Sequence, residues 1–175
     1  MSRSTMEVRV DIVEGPRIVV KTKTPYVGIR LVTPFRGMLA VRDKLMAELY
    51  DWLDKRDPID VGSTFFRLHV IDMNGPMDIE VGVTTKQTLD GDGRVRPGTL
   101  PGGRYASLTY INHARRANQL LVTWIRENGL TADRWDEPAG DRFACRYEAY
   151  LTDPRSQPMK TKWQVELNIR LAEQA

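Results

Sequence analysis

The chain has 175 residues, 41% of them hydrophobic, which suits one domain able to bury a substantial core. Its 26 Lys and Arg against 23 Asp and Glu give a net charge of +3, scattered along the chain, which argues against a nucleic-acid partner. A single cysteine, Cys145, excludes an intramolecular disulfide and a cysteine-built metal site, and no apolar leader or membrane-length apolar run is present, so a soluble cytoplasmic protein is expected.

Residues 6–13 and 17–23 are rich in β-branched side chains and are separated by Gly15-Pro16, a turn signal that predicts a hairpin. Residues 26–32 read as a strand, after which Pro34 and Gly37 break the pattern ahead of a helix over 38–53, with Leu45, Leu49, Trp52 and Leu53 on one face. Asp57-Pro58 ends that helix. Residues 65–72 and 77–83 flank Asn74-Gly75 and predict an antiparallel hairpin. Residues 85–103, poor in apolar side chains and rich in Gly, Pro, Asp and Thr, predict a long surface connection. The same order then returns: a strand over 104–111, a helix over 114–128 capped by Gly129, a strand over 143–151, a turn through Asp153-Pro154 and Pro158, and a strand over 163–171.

The recurrence extends to residues. Leu49-Tyr50-Asp51-Trp52-Leu53 matches Leu121-Val122-Thr123-Trp124-Ile125, and Ile79-Glu80-Val81-Gly82-Val83 matches Val165-Glu166-Leu167-Asn168-Ile169. The expected fold is therefore α+β, with two β-α-β-β (SHS2-like) units over 25–84 and 104–171 joined by a linker over 85–103. They would form one domain over 1–175, a mainly antiparallel sheet with two helices on one face and a ligand groove on the other.

Strand alternation puts Trp163, Val165, Leu167, Ile169 and Leu171 on one face and Gln164, Glu166, Asn168 and Arg170 on the other. Glu80 falls likewise opposite Ile79, Val81 and Val83. Glu80 and Glu166 are thus pseudo-equivalent carboxylates on the face without helices, candidates for a cleft that takes flat, apolar, often cationic molecules. A carboxylate on a solvated face, or one paired with Arg67, Arg146 or Arg170, would give the same pattern. Tyr26, Tyr105, Tyr110, Trp135, Tyr147, Tyr150 and Trp163 are the aromatic candidates for the cleft, with Trp135 in a polar segment suited to a rim or lid. Trp52 and Trp124 sit at core positions of their helices.

His69 and His113 lack ligand-motif spacing, Ser107 and Cys145 lack a nucleophile motif, and Asp90 to Gly103 lacks phosphate-loop placement, so neither a metal nor a cofactor is expected. His69 alone does not support haem ligation.

Tyr147-Glu148-Ala149-Tyr150-Leu151, the Asp153-Pro154 turn and Trp163-Gln164-Val165-Glu166, together with Asp78-Ile79-Glu80-Val81-Gly82-Val83 and Pro101-Gly102-Gly103-Arg104-Tyr105-Ala106, resemble the GyrI-like small-molecule-binding family. That family also supplies effector-binding domains of AraC- and MerR-type regulators. The resemblance implies the duplicated fold and a central site in which Glu166 faces hydrophobic, in some cases cationic, compounds. The function it implies is multidrug or toxin binding or sequestration by a stand-alone protein. Ile111-Asn112-His113-Ala114 departs from the family's Gly-Pro-Tyr-like turn into the second helix, so the pocket entrance is expected to differ.

Some members resemble hydrolases of cyclopropane-bearing natural products. On that alternative Glu80 and Glu166 would be the catalytic acids, acting on an electrophilic ligand. A protein-inhibiting interaction module is a third reading. No helix-turn-helix is left over after both units are assigned, so DNA binding by this chain alone is not expected, nor is membrane binding. The sequence leaves the oligomeric state open.

Overall fold

The computed structural model describes residues 11–56 and 59–173. Strands β1 (Asp11–Lys21) and β2 (Thr24–Pro34) lead to helix α1 (Met38–Asp54), followed by β3 (Val61–Ile71), β4 (Pro76–Thr85), β5 (Val95–Leu100) and β6 (Gly103–Ile111). Helix α2 (Ala114–Glu127), β7 (Arg134–Glu137), β8 (Gly140–Phe143), β9 (Arg146–Tyr150) and β10 (Gln164–Arg170) complete the chain. The ladders are antiparallel, in the order β1-β6-β10-β9-β3-β4-β2-β5, and the β7–β8 hairpin joins through β8 beside β3.

Each helix forms because its apolar residues recur at helical spacing. Leu45, Met46 and Leu49 of α1, and Ala117, Leu121 and Ile125 of α2, are buried in one core with Val27, Ile29, Ile79, Val81, Leu108, Leu167 and Ile169 of the sheet. Trp52 and Trp124 pack against the same core, half-buried. Helix α2 ends at Gly129 (φ 65°), where Leu130 N donates to Ile125 O at 3.0 Å. Its entry is unusual. Asn112 and His113 both take left-handed backbone conformations (φ 62° and 63°), and Asn112 Oδ1 accepts a hydrogen bond from His113 N at 2.9 Å.

Three segments differ from the sequence expectation. Residues 6–10 lie outside the described residues, and the rest of the first predicted hairpin is one edge strand, β1, whose register against β6 shifts between Glu14 and Arg17. Gly15-Pro16 is thus absorbed as a bulge, which an edge strand tolerates because proline's missing N–H faces no partner. The predicted surface connection contains β5, an edge strand paired with β2 that carries Pro97 and Gly98. The predicted strand over 143–151 is broken at Ala144-Cys145 into β8 and β9.

The sheet face away from the helices is closed by its own side chains. Tyr26, Phe65, Leu100, Tyr105, Cys145, Tyr147 and Ala149 form a second buried cluster, with the Tyr26, Tyr105 and Phe65 rings meeting neighbours edge-on. Glycines make room for it: a Cβ on Gly82 would fall 2.4 Å from the Phe65 ring, and one on Gly98 2.4 Å from the Tyr26 ring.

Candidate functional site

Helix α1 packs mainly on β2 and β4, and α2 on β6 and β1, so the three middle strands β10, β9 and β3 lie beneath the gap between the helices. A cavity of about 800 Å³ lies there. Its floor is Phe66 and Leu68 of β3 and Val165, Leu167 and Ile169 of β10. Met38 and Leu39 of α1 form one wall, and Tyr110 with the start of α2 the other.

Strand β9 runs through the middle of the floor. Alternation turns Tyr147 and Ala149 into the second cluster, and therefore Arg146, Glu148 and Tyr150 toward the helices. Tyr150 Oη donates to Glu148 Oε1 at 2.6 Å, and Arg42 Nη1 from α1 donates to Tyr150 Oη at 3.2 Å while lying 3.7 Å from Glu148 Oε1. The Arg42 Nε and Nη2 atoms both donate to Asp43 Oδ1. Arg146 Nη2 donates to Asn118 Oδ1 on α2 at 3.1 Å. The Trp163 indole closes one end, with Nε1 donating to Gln157 O at 2.7 Å and its ring 5.1 Å from that of Tyr150.

Burial raises the Glu148 carboxyl above its ordinary range, against the hydrogen bond from Tyr150 and the charges of Arg42 and Arg146. Burial also draws Arg146 down to about 10. A carboxyl whose folded pKa exceeds its unfolded one adds stability below the unfolded value and loses it as pH rises through the folded one. Glu148→Gln, which cannot ionise, should therefore gain stability relative to the natural chain as pH rises through the folded Glu148 pKa. Thermal melts of both proteins from acid to neutral pH measure this, and parallel curves would contradict it.

Of the sequence candidates, Tyr110, Tyr150 and Trp163 line the cavity. Tyr147 borders it, but its ring lies on the other face against Phe65 and Tyr105. Trp135 stands on β7, 45% exposed and outside the cavity, with Nε1 donating to Glu137 Oε1 at 2.8 Å. Tyr26, Tyr105, Glu80 and Glu166 lie on the opposite face. Glu80 is buried, its Oε1 accepting from Tyr26 Oη at 2.7 Å and paired with His69 Nε2 at 2.8 Å; Tyr26 in turn accepts from Arg67. Glu166 is bound to Lys21 Nζ at 2.8 Å and Asn168 Nδ2 at 3.0 Å.

The groove expected on the face without helices is therefore not where the cavity lies. The helices cover the flanks of the sheet rather than its middle, and the other face is filled by aromatic rings. Strands β9 and β3 separate β10 from β4, so Glu166 and Glu80 sit roughly 14 Å apart at ordinary strand spacing. Glu148, Arg42, Arg146 and His113 of the cavity were not among the sequence candidates. For Arg146 and Glu148 a signal was present in β9, where Tyr147 and Ala149 alternate onto the face without helices and the ionisable residues onto the helix side, the reverse of β10.

The sequence profile of the GyrI-like small molecule binding domain matches residues 15–172. The chain belongs to that family. Among solved structures, this GyrI-like chain resembles the C-terminal domain of EcmrR, with a TM-score of 0.70 at 12% identity over 93% of this chain and 100% of that one. It also resembles EcmrR in a DNA complex (TM-score 0.72, 14% identity, 91% of this chain), where it spans 57% of the EcmrR chain's length. A third is SAV2435 bound to tetraphenylphosphonium, with a TM-score of 0.58 at 13% identity over 90% of this chain and 93% of that one. At such identities the likeness establishes a shared fold. Comparison with curated protein sequences gives no match. Among the described residues no helix is long and apolar enough to cross a membrane.

Proposed function

We propose that this chain is one GyrI-like domain that binds a hydrophobic small molecule in the cavity between α1 and α2, serving to hold or sequester it. The observation that carries the reading is the cavity itself: about 800 Å³ floored by apolar side chains, with a few polar groups converging on its centre from β9 and α1. That size and that mixture are typical of small-molecule sites. The tetraphenylphosphonium held by SAV2435 on the same fold is consistent with a bulky, ring-bearing guest. Glu148 is the only carboxylate lining the cavity among the described residues, and it is already engaged by Tyr150 and Arg42. Hydrolysis needs one group to activate water and another to steer the reacting bond, so the arrangement favours binding over catalysis.

Titration with N-phenyl-1-naphthylamine, a neutral probe that brightens in apolar surroundings, tests the reading. Saturable binding at one site with a micromolar-order Kd is the expected result. Absence of saturable binding would remove the cavity as a site for hydrophobic molecules.

A further inference from the structure

The charges around the cavity are lopsided. Arg42, Arg115, Arg146 and Lys160 reach it, against the single carboxylate of Glu148. Two of the four cations are occupied: Arg42 by Asp43 and Glu148, and Lys160 by Asp43. Arg146 is not. It stands on the central strand β9, forms no ion pair among the described residues, stacks over the Phe143 ring at 4.9 Å and has one hydrogen-bond partner, the neutral Asn118 amide. A guanidinium so placed is a donor fork without an anion.

A second feature converges on the same spot. Asn112, His113, Ala114 and Arg115, the entry to α2, line the cavity beside Asn118. The helix has no side-chain cap and no acidic residue in its first turn, and Ala117 N is the first of its N–H groups to find a carbonyl. Its free N–H groups and the positive end of its dipole therefore add to the positive charge of Arg146, which has no carboxylate within ion-pair distance among the described residues. A lipophilic cation would meet the opposite arrangement, having to displace Arg42 from Glu148 while facing Arg146.

We propose that the cavity selects an organic anion: an apolar body bearing a single carboxylate or sulfonate, whose head group is held by Arg146 at the α2 entry while the body lies over Phe66 and Leu167. The inference rests on the reading of this cavity as the binding site. Arg146 is then the residue that sets specificity by charge, and the negative charge of the bound anion offsets the cost of keeping the guanidinium ionised in a buried place.

A matched pair of probes tests it. 8-Anilinonaphthalene-1-sulfonate and N-phenyl-1-naphthylamine share one skeleton and differ by the sulfonate alone. The sulfonate is expected to bind about tenfold or more tightly than the neutral probe, a ratio that a single buried charge-assisted contact can supply. Arg146→Gln should bring the ratio to within about threefold by weakening the sulfonate more than the neutral probe, and Arg146→Lys should keep part of it. Far-UV circular dichroism and a cooperative thermal melt report separately that each variant is folded. A wild-type ratio of one or less, a ratio unmoved by Arg146→Gln, or tetraphenylphosphonium binding more tightly than the sulfonate would each overturn the proposal. Should that occur with the neutral probe still bound, the cavity stands and only the charge preference falls. Should neither naphthalene probe bind, the cavity reading falls as well.

Discussion

Replacing Glu80 with alanine is expected to lower unfolding stability by about 3–5 kcal/mol while leaving probe affinity in the inter-helix cavity unchanged, provided the protein is kept folded. Glu80 and Arg67 face each other across the β3–β4 ladder, both almost fully buried beneath the Tyr26 and Phe65 rings. The carboxylate accepts from Tyr26 and is paired with His69 Nε2, whose ring burial holds below its ordinary pKa. Remove the carboxylate and Arg67 keeps only Tyr26 Oη and the carbonyls of Thr99 and Ala144, with its Nε unpartnered. Tyr26 Oη and His69 Nε2 then lose their buried partner, at about 1–3 kcal/mol each, and Arg67, joined to Glu80 through Tyr26 Oη, loses a charge that balances it. Urea denaturation with a bound-probe assay at low denaturant separates the two readouts. A small stability change together with a large loss of binding would reverse the roles assigned here to the two faces.

The largest effect on binding is expected from Leu68→Trp. Leu68 stands half-buried on β3 and lines the cavity on the helix side, so an indole in its place extends into the void rather than into packed core. Affinity for N-phenyl-1-naphthylamine should fall more than about tenfold, since the added ring occupies space the probe needs. The cost in stability should stay below about 3 kcal/mol because the new volume fills empty space. Binding that survives with stability intact would place the probe elsewhere.

Much of the frame can be read in the sequence because it depends on local pattern. The helices follow from Leu45, Leu49, Leu121 and Ile125 at helical spacing, and the turn at Asn74-Gly75 pairs β3 with β4 as expected. Alternation also puts Val165, Leu167 and Ile169 under the helices and Glu166 away from them. The edge strands were harder. Gly15-Pro16 and Pro97-Gly98 resemble turns, yet a strand with one neighbour needs only half its backbone groups paired and can carry them.

The cavity lies on the other face from the expected groove for a physical reason. Alternation tells which residues share a face, but not which face stays open. That depends on where the helices land: α1 and α2 settle over the flanking strands and leave a cavity between them above β9. The face without helices is meanwhile filled by Phe65, Tyr105 and Tyr147, partly because Gly82 and Gly98 admit the rings. Arg146-x-Glu148-x-Tyr150 on a central strand was the sequence's own pointer to a polar patch under the helices. It could be interpreted only once that strand was known to be central.

The central claim is that small molecules are held between α1 and α2, over β9. A crystal structure of the protein with bound N-phenyl-1-naphthylamine tests it most directly. Density for the probe is expected between the helices, in contact with Phe66, Leu68 and Leu167 and beside the Glu148–Tyr150 pair. Density on the opposite face, against Glu80 or Glu166, with the inter-helix cavity unoccupied, would contradict it.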